Sequence, residues 1–141
     1  MRDNIKARLA YHKGQLEEKQ RKKNTNSLFV DRYNEKPVLF NPGLGRISGS
    51  SIAGLFMSQI LYWQERGWNK EWIYKTIKEI EQETCLSRSE QDRAIKKWKG
   101  LGILEVENRG IPQRRHFRVN IEKLEQLLKV DYEKRAAETC K

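Results

Sequence analysis

The residues best suited to binding chemistry form a short cationic stretch in the second half of the chain. Ser87 is followed three residues later by Glu90, the spacing at which a hydroxyl and a carboxylate cap the start of a helix reciprocally. In a helix that begins there, Ala94, Ile95 and Trp98 share an apolar face. The opposite face carries short polar and cationic side chains, namely Arg88, Ser89, Asp92, Arg93, Lys96 and Lys99. Such a face suits contact with acceptor-rich base edges and phosphates.

Side-chain chemistry assigns roles within this stretch. Arg88, Ser89 and Arg93 are predicted to reach base edges, because they lie at or near the helix start and carry hydrogen-bond donors. Gln91 lies close to the inward side, from which its amide reaches an adenine if the helix is rotated slightly. A third group is predicted to meet phosphates as point charges that position without reading sequence: Lys96, Lys97 and Lys99.

A second basic cluster lies in a predicted β-hairpin downstream of this helix. Residues 103–107 and 115–120 alternate as strands, and 108–114 supply the turn. Phe117 and Val119 share one strand face and are predicted to be core. The polar residues crowded at the hairpin tip are Arg109, Gln113, Arg114 and Arg115. A tip of this kind is expected to lie along a minor groove or the adjacent phosphate backbone, where negative potential attracts arginine.

Helices and one further strand must position these two clusters. Helical periodicity and capping residues predict helices over 51–65, 76–84, 87–100 and 121–137, with a short edge strand over 71–74. Because only a few residues separate the second of these helices from the third, the two must cross steeply. This is the geometry of a helix-turn-helix.

The remaining local patterns indicate structural roles and not binding or catalysis. Pro37–Phe40 is predicted to be extended, and Asn41–Gly43 to be a turn. Cys85 is placed at the helix-turn-helix corner, where small apolar residues pack. The regularly spread Glu79, Glu81 and Glu83 indicate a solvated helix face rather than paired catalytic carboxylates. The aromatic residues Trp63, Trp72, Tyr74 and Trp98 are interpreted as core rather than base-stacking groups, with Trp68 the most exposed.

Composition sets the broad class. The chain has 141 residues and a net charge of +10, which suits one domain of ordinary size with a polyanionic partner and makes a two-domain enzyme improbable. Its two cysteines and two histidines have no metal-ligand spacing, and no catalytic arrangement is found, so we expect a non-enzyme without a metal or cofactor. Without an apolar run or signal peptide, we expect a soluble cytoplasmic protein.

The predicted organisation has three parts. Residues 1–27 form a basic helix and a linker, 28–130 the binding domain, and 131–141 the end of the C-terminal helix and a tail. The N-terminal helix has only a thin apolar stripe, Ile5, Leu9 and Leu16, which cannot hold it folded alone in water. It must therefore dock on the domain, pair with another subunit or fray.

The stretch from Thr84 to Trp98, with Leu101–Leu104 and the arginine-rich hairpin, resembles the turn, recognition helix and wing of winged-helix DNA-binding proteins. More narrowly, Pro37–Phe40, Ile60–Trp63 and Arg118–Asn120 are similar to N-terminal domains of phage and plasmid replication initiators of the replisome-organiser type.

The resemblance implies a mainly α fold with a small β-hairpin (α+β), a winged helix-turn-helix with flanking N-terminal and C-terminal helices. It also implies a recognition helix over about 87–100 in the major groove and a basic wing over 109–115. Double-stranded DNA would be the ligand, and the role would be replication initiation or transcription regulation in a bacterial or phage-infected cell. A protein of the replication machinery would be a further partner.

Three alternatives stay open at this point. The same basic fold could bind RNA. It could serve as a protein-interaction module in which the charge only confers solubility. A homodimer could form through the N-terminal stripe or through Leu124, Leu127 and Leu128, which predicts a palindromic DNA site.

Overall fold

A computed structural model describes residues 2–21, 32–33, 36–67 and 71–139 of the chain. The chain divides into two compact units, Met1–Pro37 and Val38–Lys141. The described elements, in chain order, are α1 (Arg2–Arg21), α2 (Pro42–Ser48), α3 (Ser51–Arg66), β1 (Ile73–Tyr74), α4 (Ile77–Thr84), α5 (Arg88–Gly100), β2 (Leu104–Arg109), β3 (Arg114–Val119) and α6 (Ile121–Thr139). This mainly helical chain with a small antiparallel sheet confirms the α+β class.

The first unit contains α1, the predicted basic helix. Its described side chains, those of residues 4–15, are all exposed, including Ile5 and Leu9 of the apolar stripe. The predicted linker at 24–27 and the aromatic residue Trp68 lie outside the described residues.

The core of the second unit lies between α3, α5 and the inner face of a three-stranded sheet of order β1-β3-β2. Phe117 and Val119 are buried as predicted, and the Phe117 ring meets Phe56 of α3 edge-on at 5.8 Å between centroids. Trp98 of α5 is fully buried, and its Nε1 donates a hydrogen bond to the carbonyl oxygen of Ala53 at 2.8 Å. These contacts fix α5 by its apolar face and leave the other face outward.

The segment before α3 differs from its prediction. The turn expected at Asn41–Gly43 is instead the start of helix α2, in which the Asn41 side chain accepts a hydrogen bond from the Gly43 N–H at 2.9 Å. Pro42 takes the first helical position, where its fixed φ favours the helix and its missing N–H costs nothing. The same Asn-Pro-Gly signal therefore starts a helix here.

α2 and α3 pack closely at a pair of glycines. A Cβ atom added to Gly54 would lie 2.7 Å from the backbone N of Gly45, which is closer than backbone atoms tolerate. We expect Gly54→Ala to lower the free energy of unfolding by about 2 kcal/mol because the two helices must move apart. Gly100→Ala is the matched control, since its Cβ would meet nothing within 4 Å. Urea unfolding of both variants measures this, and equal stability of the two would contradict the packing.

Glu83 does not lie on a solvated face, so that prediction was wrong for this residue. Its carboxylate accepts hydrogen bonds from Gln59 Nε2 at 2.7 Å, Trp63 Nε1 at 2.8 Å and Lys75 Nζ at 2.7 Å. The Lys75 ammonium is largely buried and lies 3.5 Å from the centre of the Trp63 ring. Helix α4 thus turns Glu83 toward α3, where it compensates a buried charge.

This network predicts a loss of stability in acid. Burial alone would raise the pKa of Glu83, but hydrogen bonds from Lys75, Gln59 and Trp63, with the Lys75 charge, outweigh it and lower the pKa below its ordinary 4.5. A carboxyl with a lower pKa in the folded state stabilises the fold above the unfolded-state pKa, and that contribution disappears as pH falls through the folded-state pKa.

Urea unfolding between about pH 3 and pH 7 checks this expectation. The wild-type protein should lose stability below about pH 4.5, and Glu83→Gln should lose less over the same interval while being less stable at neutral pH by about 2 kcal/mol. Parallel pH profiles for the two proteins would show that Glu83 is not a source of the acid sensitivity.

Three residues, 85–87, join α4 to α5. Cys85 ends α4 in the left-handed conformation, with φ of 63°, and its N–H donates to the Glu81 carbonyl at 2.8 Å. The Cys85 side chain is exposed, which contradicts the prediction that it packs in the corner. Leu86 is buried there instead. The left-handed conformation of Cys85 ends α4 and redirects the chain, so that the next side chain, that of Leu86, points into the core.

Candidate nucleic-acid interface

Helix α5 begins at the predicted capping box. The Ser87 hydroxyl accepts a hydrogen bond from the Glu90 N–H at 3.3 Å, and the Glu90 carboxylate accepts one from the Ser87 N–H at 3.1 Å. The hydrogen bond that the carboxylate accepts from the Ser87 N–H, and then its interaction with the Ser87 hydroxyl, lower the pKa of Glu90. The cap fixes where the helix starts and so fixes the direction of the side chains in its first turn.

The outward face of α5 is cationic. Its exposed side chains are Arg88, Ser89, Asp92, Arg93, Lys96, Lys97 and Lys99, while Ala94 and Trp98 are buried and Ile95 is half-buried. This face therefore presents five cations and one carboxylate. An exposed cationic face on a helix held by its apolar face meets the steric and electrostatic needs of groove binding.

Gln91 belongs to the interior, so the prediction that it could reach a base is wrong. It is fully buried, and its Nε2 donates to the carbonyl oxygens of Ile77 at 3.0 Å and Leu86 at 2.9 Å. Its Oε1 accepts a hydrogen bond from Arg115 at 2.8 Å. The sequence did contain a signal, because position 91 lies three and seven residues before Ala94 and Trp98 and so shares their face.

Arg115 was predicted to lie at the hairpin tip, but it lies on the inner side of β3. It has the same strand parity as Phe117, which turns its side chain toward α5 and Gln91. Burial, and then the nearby Arg88, lower its pKa, whereas Asp92 opposes the shift. Arg115 thus connects the hairpin to α5. Because one of its nitrogens is bonded to Gln91, only part of the guanidinium can contact a ligand.

Arg109 and its neighbours form a network of ion pairs and aromatic contacts on the outer face of the sheet. The Arg109 guanidinium pairs with Glu107 at 2.7 Å and lies 4.5 Å from the centre of the Trp72 ring. Arg118 bridges Glu105 and Glu71, each at 2.8 Å, and the hydrogen bonds that it donates to these carboxylates raise its pKa. The charge of Arg109 is therefore partly compensated on the sheet.

The hairpin tip itself is formed by residues 110–113. Gln113 and Arg114 are exposed, as predicted, and the Arg114 guanidinium lies 5.2 Å from the centre of the Tyr74 ring. Of the four residues predicted for this cluster, only Gln113 lies within the tip, whereas Arg109 and Arg114 pair with each other at the ends of β2 and β3 that flank it. Ile111, which the sequence reading had not singled out, is the most exposed large apolar side chain of the described residues.

A groove beside the cationic face could not be predicted from the local sequence. Residues 49–52, at the N-terminus of α3, line a groove together with Arg93, Ala94 and Lys97 of α5. Ser50 caps this helix by accepting a hydrogen bond from the Ala53 N–H at 3.2 Å. The positive end of the α3 dipole therefore adds to the cations of α5 on the same surface.

A metal site and a membrane-spanning helix are both absent from the part of the chain that the structure covers. Those residues contain no cluster of three or more His, Cys, Asp or Glu side chains able to hold a metal ion. None of the described helices combines the length and the apolar character that crossing a membrane requires. Comparison of the chain with models of protein families, with curated proteins and with solved structures found no match.

Proposed function

We propose that this chain is a winged helix-turn-helix domain that binds double-stranded DNA. Helix α5 enters the major groove. The wing, which is the β2–β3 hairpin, lies with its tip against the adjacent phosphates or minor groove. The observation that carries the proposal is the exposed cationic face of α5 on a helix whose opposite face is buried in the core.

The arrangement of the elements supports this mode of binding. Helices α4 and α5 are joined by three residues, and the wing follows α5 after a short turn. The hydrogen bond between Arg115 and Gln91 holds the stem of the wing beside the first turns of α5. One rigid body thus carries both contact surfaces, which lowers the entropic cost of binding.

Roles on this surface follow from position. Arg88, Ser89 and Arg93 are proposed to contact base edges, with Asp92 beside them on the exposed face. Phosphate contacts are assigned to Lys96, Lys97 and Lys99, and contacts to the minor groove or its adjacent phosphates to Gln113 and Arg114. With about six phosphate contacts, affinity should fall by about three orders of magnitude between about 50 and 200 mM salt.

The cellular role is proposed from the sequence resemblance. Initiation of phage or plasmid replication and regulation of transcription both use a domain of this type, and both place it in the cytoplasm of a bacterium or infected host. A protein of the replication machinery is the second partner in the replication role.

The apolar residues of α6, Leu124, Leu127 and Leu128, do not form a free surface for a dimer. Leu124 is buried and Leu127 and Leu128 pack against the core, so these leucines contact their own domain. Ile5 and Leu9 of α1 are exposed and remain the proposed route to a homodimer. A palindromic binding site would support that dimer.

Selection of bound sites from random duplex DNA tests the proposal. We expect a recovered motif whose affinity exceeds that of a scrambled duplex by about a thousandfold, with the salt dependence given above. Equal, salt-sensitive binding to both duplexes would leave a backbone binder without sequence specificity. Structured RNA that competes better than the selected duplex, or no binding to either, would overturn the assignment to DNA.

A further inference from the structure

The tip of the wing carries two apolar residues, Ile111 and Pro112. Ile111 is fully exposed, and Pro112 beside it is exposed too. Exposed single apolar residues are common on protein surfaces. Here, however, the apolar pair occupies the turn that joins β2 to β3, next to the exposed donors of Gln113 and Arg114.

The anchoring of the wing determines what its tip can reach. Arg115 is hydrogen-bonded to Gln91, so this part of the stem lies against the helix that is proposed to occupy the major groove. Ile111 lies four residues before Arg115 in the chain, a reach on the order of 10 Å when part of it is a turn. One sugar-phosphate backbone separates the major groove from the minor groove, and the tip can extend across it.

We infer that Ile111 is a wedge that enters the minor groove beside the α5 site and bends the duplex. This inference rests on the proposed function. The neighbouring Arg114 and Gln113 supply donors for the minor-groove acceptors, while the branched side chain of Ile111 inserts at a base step. Pyrimidine–purine steps unstack most easily and are the expected place of insertion.

Apolar contact explains Ile111 better than charge does. The tip residues 110–113 carry no charge, and the cations that flank them are Arg109 at the end of β2 and Arg114 at the start of β3. A tip that only followed phosphates would gain nothing from a branched apolar side chain. Insertion between bases removes that side chain from water, and the bend brings more backbone to the cations of α5.

Energy transfer between dyes at the two ends of a duplex of about 30 base pairs, carrying the best selected site, measures the bend. We expect the wild-type protein to bend this DNA by at least about 20°. Ile111→Ser should lose at least half of that bend, with the salt dependence of binding unchanged because no charge is removed. Ile111→Leu, which keeps an apolar side chain of equal size, is the matched control and should retain the bend.

The outcomes separate this inference from the proposed function. Wild-type protein that binds the selected site without bending it, or Ile111→Ser that bends it fully, would overturn the wedge and leave DNA binding intact. Failure of the wild-type protein to bind duplex DNA would overturn both. Because Ile111 has no buried contact to lose, thermal unfolding of Ile111→Ser should match the wild type and confirm that the variant is folded.

Discussion

Duplex DNA binding is expected to weaken by about a hundredfold when Arg93 and Lys96 are both replaced by alanine. Both side chains are exposed on the cationic face of α5, and neither contributes to the core. Arg93 is assigned a base edge and Lys96 a phosphate, so the pair should affect both specificity and affinity. Fluorescence anisotropy of a labelled duplex at several salt concentrations measures the loss, together with a salt slope that is smaller by about one.

A matched pair of substitutions controls for net charge. Lys129→Ala with Arg135→Ala removes the same two residue types from exposed positions on α6. We expect this pair to change affinity by no more than about threefold, because charges far from the contact are screened by salt. An equal loss in both pairs would show that overall charge, and not α5, carries the binding. No loss from the α5 pair would favour the protein-interaction alternative.

Replacing Gln91 by leucine is expected to cost about 3 kcal/mol of stability. The variant loses two hydrogen bonds to the carbonyl oxygens of Ile77 and Leu86, which then lie buried without that donor. It also removes the acceptor for Arg115, whose guanidinium is already partly desolvated. Urea unfolding monitored by tryptophan fluorescence measures the change, since Trp98 lies in the core beside α3.

The matched control for Gln91 is Gln126→Leu, the same substitution at an exposed position on α6, for which we expect a change within about 0.5 kcal/mol. A double-mutant cycle with Arg115→Met isolates the bond between the wing and α5, and a coupling of about 1 kcal/mol is expected. Independent effects of the two substitutions would show that the wing is not held by this pair.

The helices and the hairpin could be read from the sequence because their signals are local. The capping box at Ser87 and Glu90, and the apolar positions Ala94 and Trp98, fix α5 through residues within two or three turns of one another. Helix α2 was missed since Asn-Pro-Gly is compatible both with a turn and with a capped helix start. The close packing of Gly45 against Gly54, nine residues later in α3, favours the helix.

Three wrong predictions, two of them in the candidate site, have a common physical cause. Glu83, Gln91 and Arg115 are polar residues that the fold pairs with side chains 8 to 24 residues away in the sequence. Composition assigns such residues to the surface, whereas the packing of α3, α4, α5 and β3 pairs Glu83 with Lys75 and Gln91 with Arg115. The exposed cations of α5 required no such partner, and the structure leaves them on the surface that the sequence predicted.

Amide chemical shifts of the protein, recorded by NMR while duplex DNA is added, locate the DNA-binding surface residue by residue. We expect the largest shifts on residues 88–99 of α5 and 110–114 of the wing, with smaller ones at the N-terminus of α3. Shifts confined to α1 or to the outer face of the sheet, or the absence of any shift with saturating duplex at low salt, would contradict binding through α5 and the wing.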